Sequence, residues 1–188
     1  MKKILCALIV IVIFSGAAFG ASSSELKKMS TFLSNFTELG MMNFHVDDLS
    51  DSELARFGIW HNYMNNYRTR VKYCPNKNCP YGSLVIDKMY VAESVRKFFN
   101  REIRHQSAPD NYGHYDGKRY YHFEGADGEA AFYTKVYEAE KRGNVIIMRG
   151  ETYEPEHDSE GSTFTAIAEP YKYGDKNTWA ILSLEVDD

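Results

Sequence analysis

The sequence predicts an α+β fold, in which three N-terminal helices pack on one face of a C-terminal antiparallel meander of about five strands. Two observations lead to this prediction. Between about residues 24 and 101, apolar residues recur at spacings of three and four, the period of an amphipathic helix. Between about residues 118 and 187 they alternate with polar residues, as in half-buried antiparallel strands. Helices followed by strands are typical of the α+β class.

The first 20 residues have the pattern of a cleaved secretory signal peptide. Lys2 and Lys3 precede an apolar run over residues 4–14, and Ala18 and Gly20 supply the small side chains that signal peptidase requires. An uncleaved anchor is the weaker alternative, because a membrane span needs roughly 20 apolar residues. We therefore expect a single mature domain, residues 21–188, that is secreted or periplasmic and makes no stable membrane insertion after signal cleavage.

Composition excludes some partners. The chain has 22 basic and 26 acidic residues, a formal charge of −4, and its basic residues are not clustered. We therefore expect no nucleic-acid partner. The 14 tyrosines suit a surface that binds a small ligand, a glycan or a protein. They suit a half-exposed antiparallel sheet equally well.

The central helix is the best-defined element, predicted from Leu49 to Val71. Ser50 and Glu53 have the spacing of a capping box, in which each side chain hydrogen-bonds the backbone amide of the other. A first helix is expected over residues 24–39, and a third from Asp87 to about residue 100. Strands are expected at residues 119–124, 129–140, 145–154, 162–168 and 179–186, the first two joined in a hairpin by the turn at residues 126–128.

Helices packed on a curved antiparallel sheet resemble the cystatin-like and NTF2-like architectures. The resemblance is to an arrangement of elements, so it implies no function. No motif in the chain matches a named family.

The central helix also carries the predicted ligand-binding residues. His61 and Asn65 lie one helical turn apart, beside an apolar stripe that includes Trp60 and Tyr67. These four side chains could line a polar pocket between the helix and the sheet. The alternative is a core-facing stripe with a solvated flank and one half-buried histidine.

Two cysteines remain in the mature domain, Cys74 and Cys79. In an exported protein the first hypothesis is a disulfide that closes this short loop. One alternative is a zinc site, which needs two further ligands, with His61, His105 or His114 as candidates. A redox role is less favoured, because the spacing is not Cys-x-x-Cys. We predict the disulfide, with no metal and no cofactor.

Catalytic motifs are missing from the sequence: it has no phosphate-binding glycine loop, no nucleophile elbow and no His-Glu-x-x-His helix. We therefore expect a non-catalytic binding or interaction module with a pocket between helix and sheet. The alternative is a secreted hydrolase that uses His61, or a group formed by His105, His114 and His122, with or without a metal.

Overall fold

A computed structural model describes residues 20–126, 131–155 and 161–187 of the chain. The predicted signal peptide lies outside these ranges except for its last residue, Gly20, and so does most of the predicted turn at residues 126–128. None of the helices within the described residues combines the length and the apolar character needed to cross a membrane.

The predicted α+β class is confirmed, with the helices in the N-terminal half of the chain. The helices are α1 (Ser23–Thr37), α2 (Asp51–Arg70) and α3 (Lys88–Phe99). The larger antiparallel sheet has the order β1-β9-β8-β7-β6 and consists of β1 (Phe44–His45), β6 (Tyr133–Arg142), β7 (Val145–Tyr153), β8 (Thr163–Tyr173) and β9 (Lys176–Val186). The smaller antiparallel sheet has the order β2-β3-β5-β4 and consists of β2 (Val71–Tyr73), β3 (Leu84–Asp87), β4 (His114–Tyr115) and β5 (Tyr120–Phe123).

The predicted hairpin between the strands on either side of residues 126–128 is wrong. β5 pairs with β3 and β4 in the smaller sheet, whereas β6 pairs with β7 in the larger one. The reason is burial: Tyr121 and Phe123 of β5 are fully buried in the core beneath the smaller sheet, together with Ile59 and Ile86. The fifth strand of the larger sheet is instead β1, which pairs with β9.

Helix α2 begins with the predicted capping box. The Glu53 amide donates to Ser50 Oγ at 3.3 Å, and the Ser50 amide donates to Glu53 Oε2 at 2.8 Å. The helix separates two apolar clusters: Phe57 packs in the core between the helices and the larger sheet, and Ile59 packs beneath the smaller sheet. The smaller sheet thereby has one face buried against α2.

Candidate functional site

Three side chains with metal-binding chemistry converge beside the smaller sheet. They are Cys74, Cys79 and His122, and their ligand atoms all lie within 4.8 Å of one another. His122 Nδ1 is 3.7 Å from Cys74 Sγ and 3.4 Å from Cys79 Sγ. Within the described ranges, this is the one group of three or more histidine, cysteine or carboxylate side chains that is close enough to share an ion.

The register of the smaller sheet brings His122 to this place. Lys72 of β2 lies opposite Val85 of β3, and Val85 lies opposite His122 of β5, so the three form one row across the sheet. The neighbouring row contains Tyr121 and is buried against α2. Since successive side chains of a strand point to opposite faces, the row with His122 is on the outer face.

The loop after β2 positions the two cysteines over this outer face. Cys74 follows Lys72 by two residues, and its amide donates to Ser83 O at 2.7 Å, which continues the β2–β3 pairing. A turn then returns the chain, since the Cys79 amide donates to Asn76 O at 3.1 Å. Both sulfurs thus approach His122 from the same loop.

Gly82 allows the loop to return closely against β5. Its φ is +119°, and a Cβ built there would lie 2.1 Å from the backbone carbonyl carbon of Phe123. A larger residue would push the loop away from the strand that carries His122.

The predicted disulfide is not formed, because Cys74 and Cys79 are free thiols. The sequence predicts that the two cysteines pair with each other because they are the two cysteines of an exported mature domain. The fold supplies a third partner, His122, which lies within 3.7 Å of both sulfurs. Burial and the adjacent Cys79 thiol raise the pKa of Cys74.

A groove of about 680 Å³ adjoins the cysteine loop. Its lining includes Cys79, Tyr81, Ser107, Asn111, His114 and Glu124. His114 lies directly opposite His122 in the β4–β5 pair. The His114 ring stacks on Tyr81, with the ring centroids 3.5 Å apart and the planes at 10°.

The predicted group of His105, His114 and His122 is only partly assembled. His114 and His122 are cross-strand neighbours on the smaller sheet. His105 lies elsewhere, with Nδ1 3.0 Å from the hydroxyl of Tyr121, whose side chain belongs to the buried face. Burial lowers the pKa of His105.

Of the predicted ligand-binding residues, Trp60 lines a cavity. This second pocket, of about 210 Å³, lies between α2 and the edge strand β1 and is also lined by Arg56, Phe57 and Phe44. The indole Nε1 of Trp60 donates to Tyr112 O at 3.1 Å.

The other three predicted residues do not line that cavity, although Asn65 Nδ2 lies 3.4 Å from His61 Nδ1. His61 is buried, stacked on Phe57 at 5.6 Å. Asn65 is exposed and donates to Glu38 Oε1 at 2.8 Å. Tyr67 is partly exposed and meets Tyr63 edge to face at 5.4 Å. The structure therefore does not bring Trp60, His61, Asn65 and Tyr67 together around one cavity, and ligand binding by these residues stays a prediction.

The sequence does not predict that His122 lies beside Cys74 and Cys79. The alternation of β5 was visible and places His122 on the face opposite Tyr121 and Phe123. Placing the cysteines on that face also requires the order of strands β2, β3 and β5. The alternation of apolar and polar residues does not determine this order.

Comparisons of the chain with models of protein families, with curated proteins and with solved structures found no match.

Proposed function

We propose that this protein is an exported, non-catalytic binding module that holds a zinc ion through Cys74, Cys79 and His122. The observation that carries the proposal is the approach of two cysteine sulfurs, at 3.4 and 3.7 Å, to one imidazole nitrogen. Thiolate and imidazole are the ligands that zinc prefers in proteins.

The distances suit a tetrahedral zinc site. Zinc bonds sulfur at about 2.3 Å and imidazole nitrogen at about 2.0–2.1 Å, so the two kinds of ligand atom lie about 3.6 Å apart around a tetrahedral ion. The two observed separations, 3.4 and 3.7 Å, fall on either side of this value. Hydrogen bonding explains both contacts only if the two sulfurs share one ring N–H, whereas a bound zinc ion accounts for all three groups together.

A disulfide is the competing state of the same two cysteines. It requires a sulfur–sulfur bond of about 2.05 Å and removes both thiolate ligands. Export favours it, since disulfides form and persist in oxidising compartments. The proximity of His122 favours the metal, because a disulfide makes no use of an imidazole. The two states exclude each other, so they can be told apart by experiment.

The pocket beside Trp60 is the second candidate binding site. Its volume of about 210 Å³ is below the roughly 300–1,000 Å³ typical of pockets for drug-sized ligands. The groove beside Cys79, at about 680 Å³, falls within that range. The larger space therefore adjoins the metal-binding cluster through Cys79, which favours the site on the smaller sheet.

The test is zinc binding by the mature chain, residues 21–188, purified under reducing conditions. We expect one zinc ion per chain after dialysis. Cys74→Ser, Cys79→Ser and His122→Ala should each weaken zinc binding by more than about 100-fold, because loss of a direct ligand exceeds the 10- to 100-fold effect of an outer-shell change. Competition with a chromophoric chelator measures the affinity.

His45→Ala is the matched control. His45 lies in β1 of the larger sheet and is exposed, so its removal should leave zinc affinity unchanged. Zinc affinity that is equally weak in the wild type and in all three ligand variants would contradict the proposal. Circular dichroism of each variant checks that the fold is retained.

A further inference from the structure

We infer that the metal keeps its fourth coordination position open toward the groove, where it binds one small exogenous donor such as water or an inorganic anion. This inference rests on the proposed zinc site. It adds a ligand class to that site, and it separates a metal that only stabilises the loop from one that also binds an exogenous ligand.

The number of protein ligands is the first argument. Among the described residues, Cys74, Cys79 and His122 are the members of the cluster, and no fourth histidine, cysteine or carboxylate joins them within 4.8 Å. A tetrahedral ion with three protein ligands has one position left. Three protein ligands and one exchangeable position characterise catalytic zinc sites, whereas structural sites have four protein ligands.

A further histidine on the same sheet has another partner. His114 lies opposite His122 in the strand pair, which makes it the obvious candidate for a fourth ligand. Its ring, however, stacks face to face on Tyr81 at 3.5 Å. His114 also lines the groove, so we expect its imidazole to hydrogen-bond a molecule that binds the metal from the groove.

The neighbouring carboxylates are also engaged. Glu124 accepts hydrogen bonds from the Ser83 amide and from Ser83 Oγ, both at 2.8 Å. Asp116 Oδ1 accepts from three successive backbone amides, those of residues 118–120, at 2.7–3.0 Å. Each carboxylate therefore stabilises its own turn, and neither lies within 4.8 Å of all three ligand atoms of the cluster.

The groove provides room for an exogenous ligand. Cys79 is the member of the cluster that also lines the groove, so an ion held by the cluster would lie at the edge of the groove. Ser107, Asn111 and His114 add polar groups to the same wall. Two thiolates balance the charge of a divalent ion, so the open position suits a neutral or singly charged donor.

Cobalt substitution tests the inference, because tetrahedral Co²⁺ has visible absorption bands that respond to a change of ligand. The mature protein is loaded with Co²⁺ and titrated with azide. We expect the visible bands to shift and to saturate with one azide per cobalt, in the wild type and in the control His45→Ala. His114→Ala should also respond, with weaker azide affinity because the anion loses the imidazole that hydrogen-bonds it.

Two results would contradict the inference that the fourth coordination position is open. A wild-type spectrum unchanged by azide, with a response that appears in His114→Ala, would show that His114 is the fourth ligand. Cobalt spectra unchanged in both proteins would show that another group closes the site. Cobalt binding is measured before azide is added. A protein that binds no cobalt would contradict the proposed metal site itself.

Discussion

His61 shows how burial changes what a histidine can do. Its ring stacks on Phe57 and meets Phe98 edge to face at 4.7 Å. Burial, supported by the positive charges of Lys97 and Arg70, lowers the pKa of His61 to about 4. His61 is therefore a neutral core residue at pH 7.

This pKa predicts a pH-dependent stability. An unfolded histidine has a pKa of 6.5, so the unfolded chain binds a proton at higher pH than the folded chain does. The free energy of unfolding should therefore fall as the pH drops from about 6.5 to about 4. The contribution of His61 to this fall is about 2 kcal/mol between pH 7 and pH 5.

Urea unfolding of the wild type and of His61→Leu at both pH values measures this contribution. The wild type should lose about 2 kcal/mol more than the variant, which has no group to protonate. Carboxylates titrate in both proteins, so their effect cancels in the comparison. Equal losses in the two proteins would show that His61 is not buried as the structure describes.

At the residue scale, sequence reasoning identified the relevant side chains but not their grouping. Cys74 and Cys79 were paired with each other, and His122 was grouped with His105 and His114. Residue types limit the chemistry that each side chain can supply. Contacts between residues 43 or more positions apart depend on strand pairing, which residue types do not determine.

At the scale of elements, the packing of α2 on α3 depends on Gly58. A Cβ built on Gly58 would lie 2.7 Å from Val91 Cγ1 and 2.8 Å from Val91 O. The same interface buries Asn62, whose amide nitrogen donates to Gly58 O and to Ser94 Oγ, both at 2.8 Å. Asparagine is a mediocre helix former, and these partners explain how Asn62 is accommodated in α2.

Gly58→Ala should therefore destabilise the protein, although alanine is the better helix former. Helix propensity favours alanine by up to about 1 kcal/mol, whereas overpacking costs about 1–3 kcal/mol. The backbone carbonyl of Val91 cannot move without α3, so we expect a net loss of about 1–2 kcal/mol. Chemical unfolding measures it.

Arg68→Ala on the exposed side of the same helix is the control, with an expected change within about 0.5 kcal/mol. A Gly58→Ala protein more stable than the wild type would contradict the close approach of the two helices.

Helices were predictable from local signals, whereas strand partners were not. The capping box at Ser50 and Glu53 marks the start of α2 because the hydrogen bonds join residues three apart. The partners of β5 are β3, more than 30 residues earlier in the chain, and β4. Alternation indicates that β5 has a buried face, but it does not indicate which sheet covers it.

At the scale of the whole molecule, α2 joins two apolar clusters that serve different sheets. The larger sheet packs with the helices into an apolar core, against which His61 is buried. The smaller sheet carries the cysteine loop and His122 on the face that it turns away from α2. This division puts the proposed metal site outside the main core. Export and signal cleavage, which belong to residues 1–20, stay predictions.

The central claim is that Cys74, Cys79 and His122 bind one metal ion, and X-ray absorption at the zinc edge tests it most directly. For the zinc-loaded mature chain we expect two sulfur ligands at about 2.3 Å and nitrogen or oxygen ligands at about 2.0–2.1 Å. Cys79→Ser should leave one sulfur ligand. A shell of nitrogen and oxygen alone, or a shell of four sulfurs contributed by two chains, would contradict the site described here.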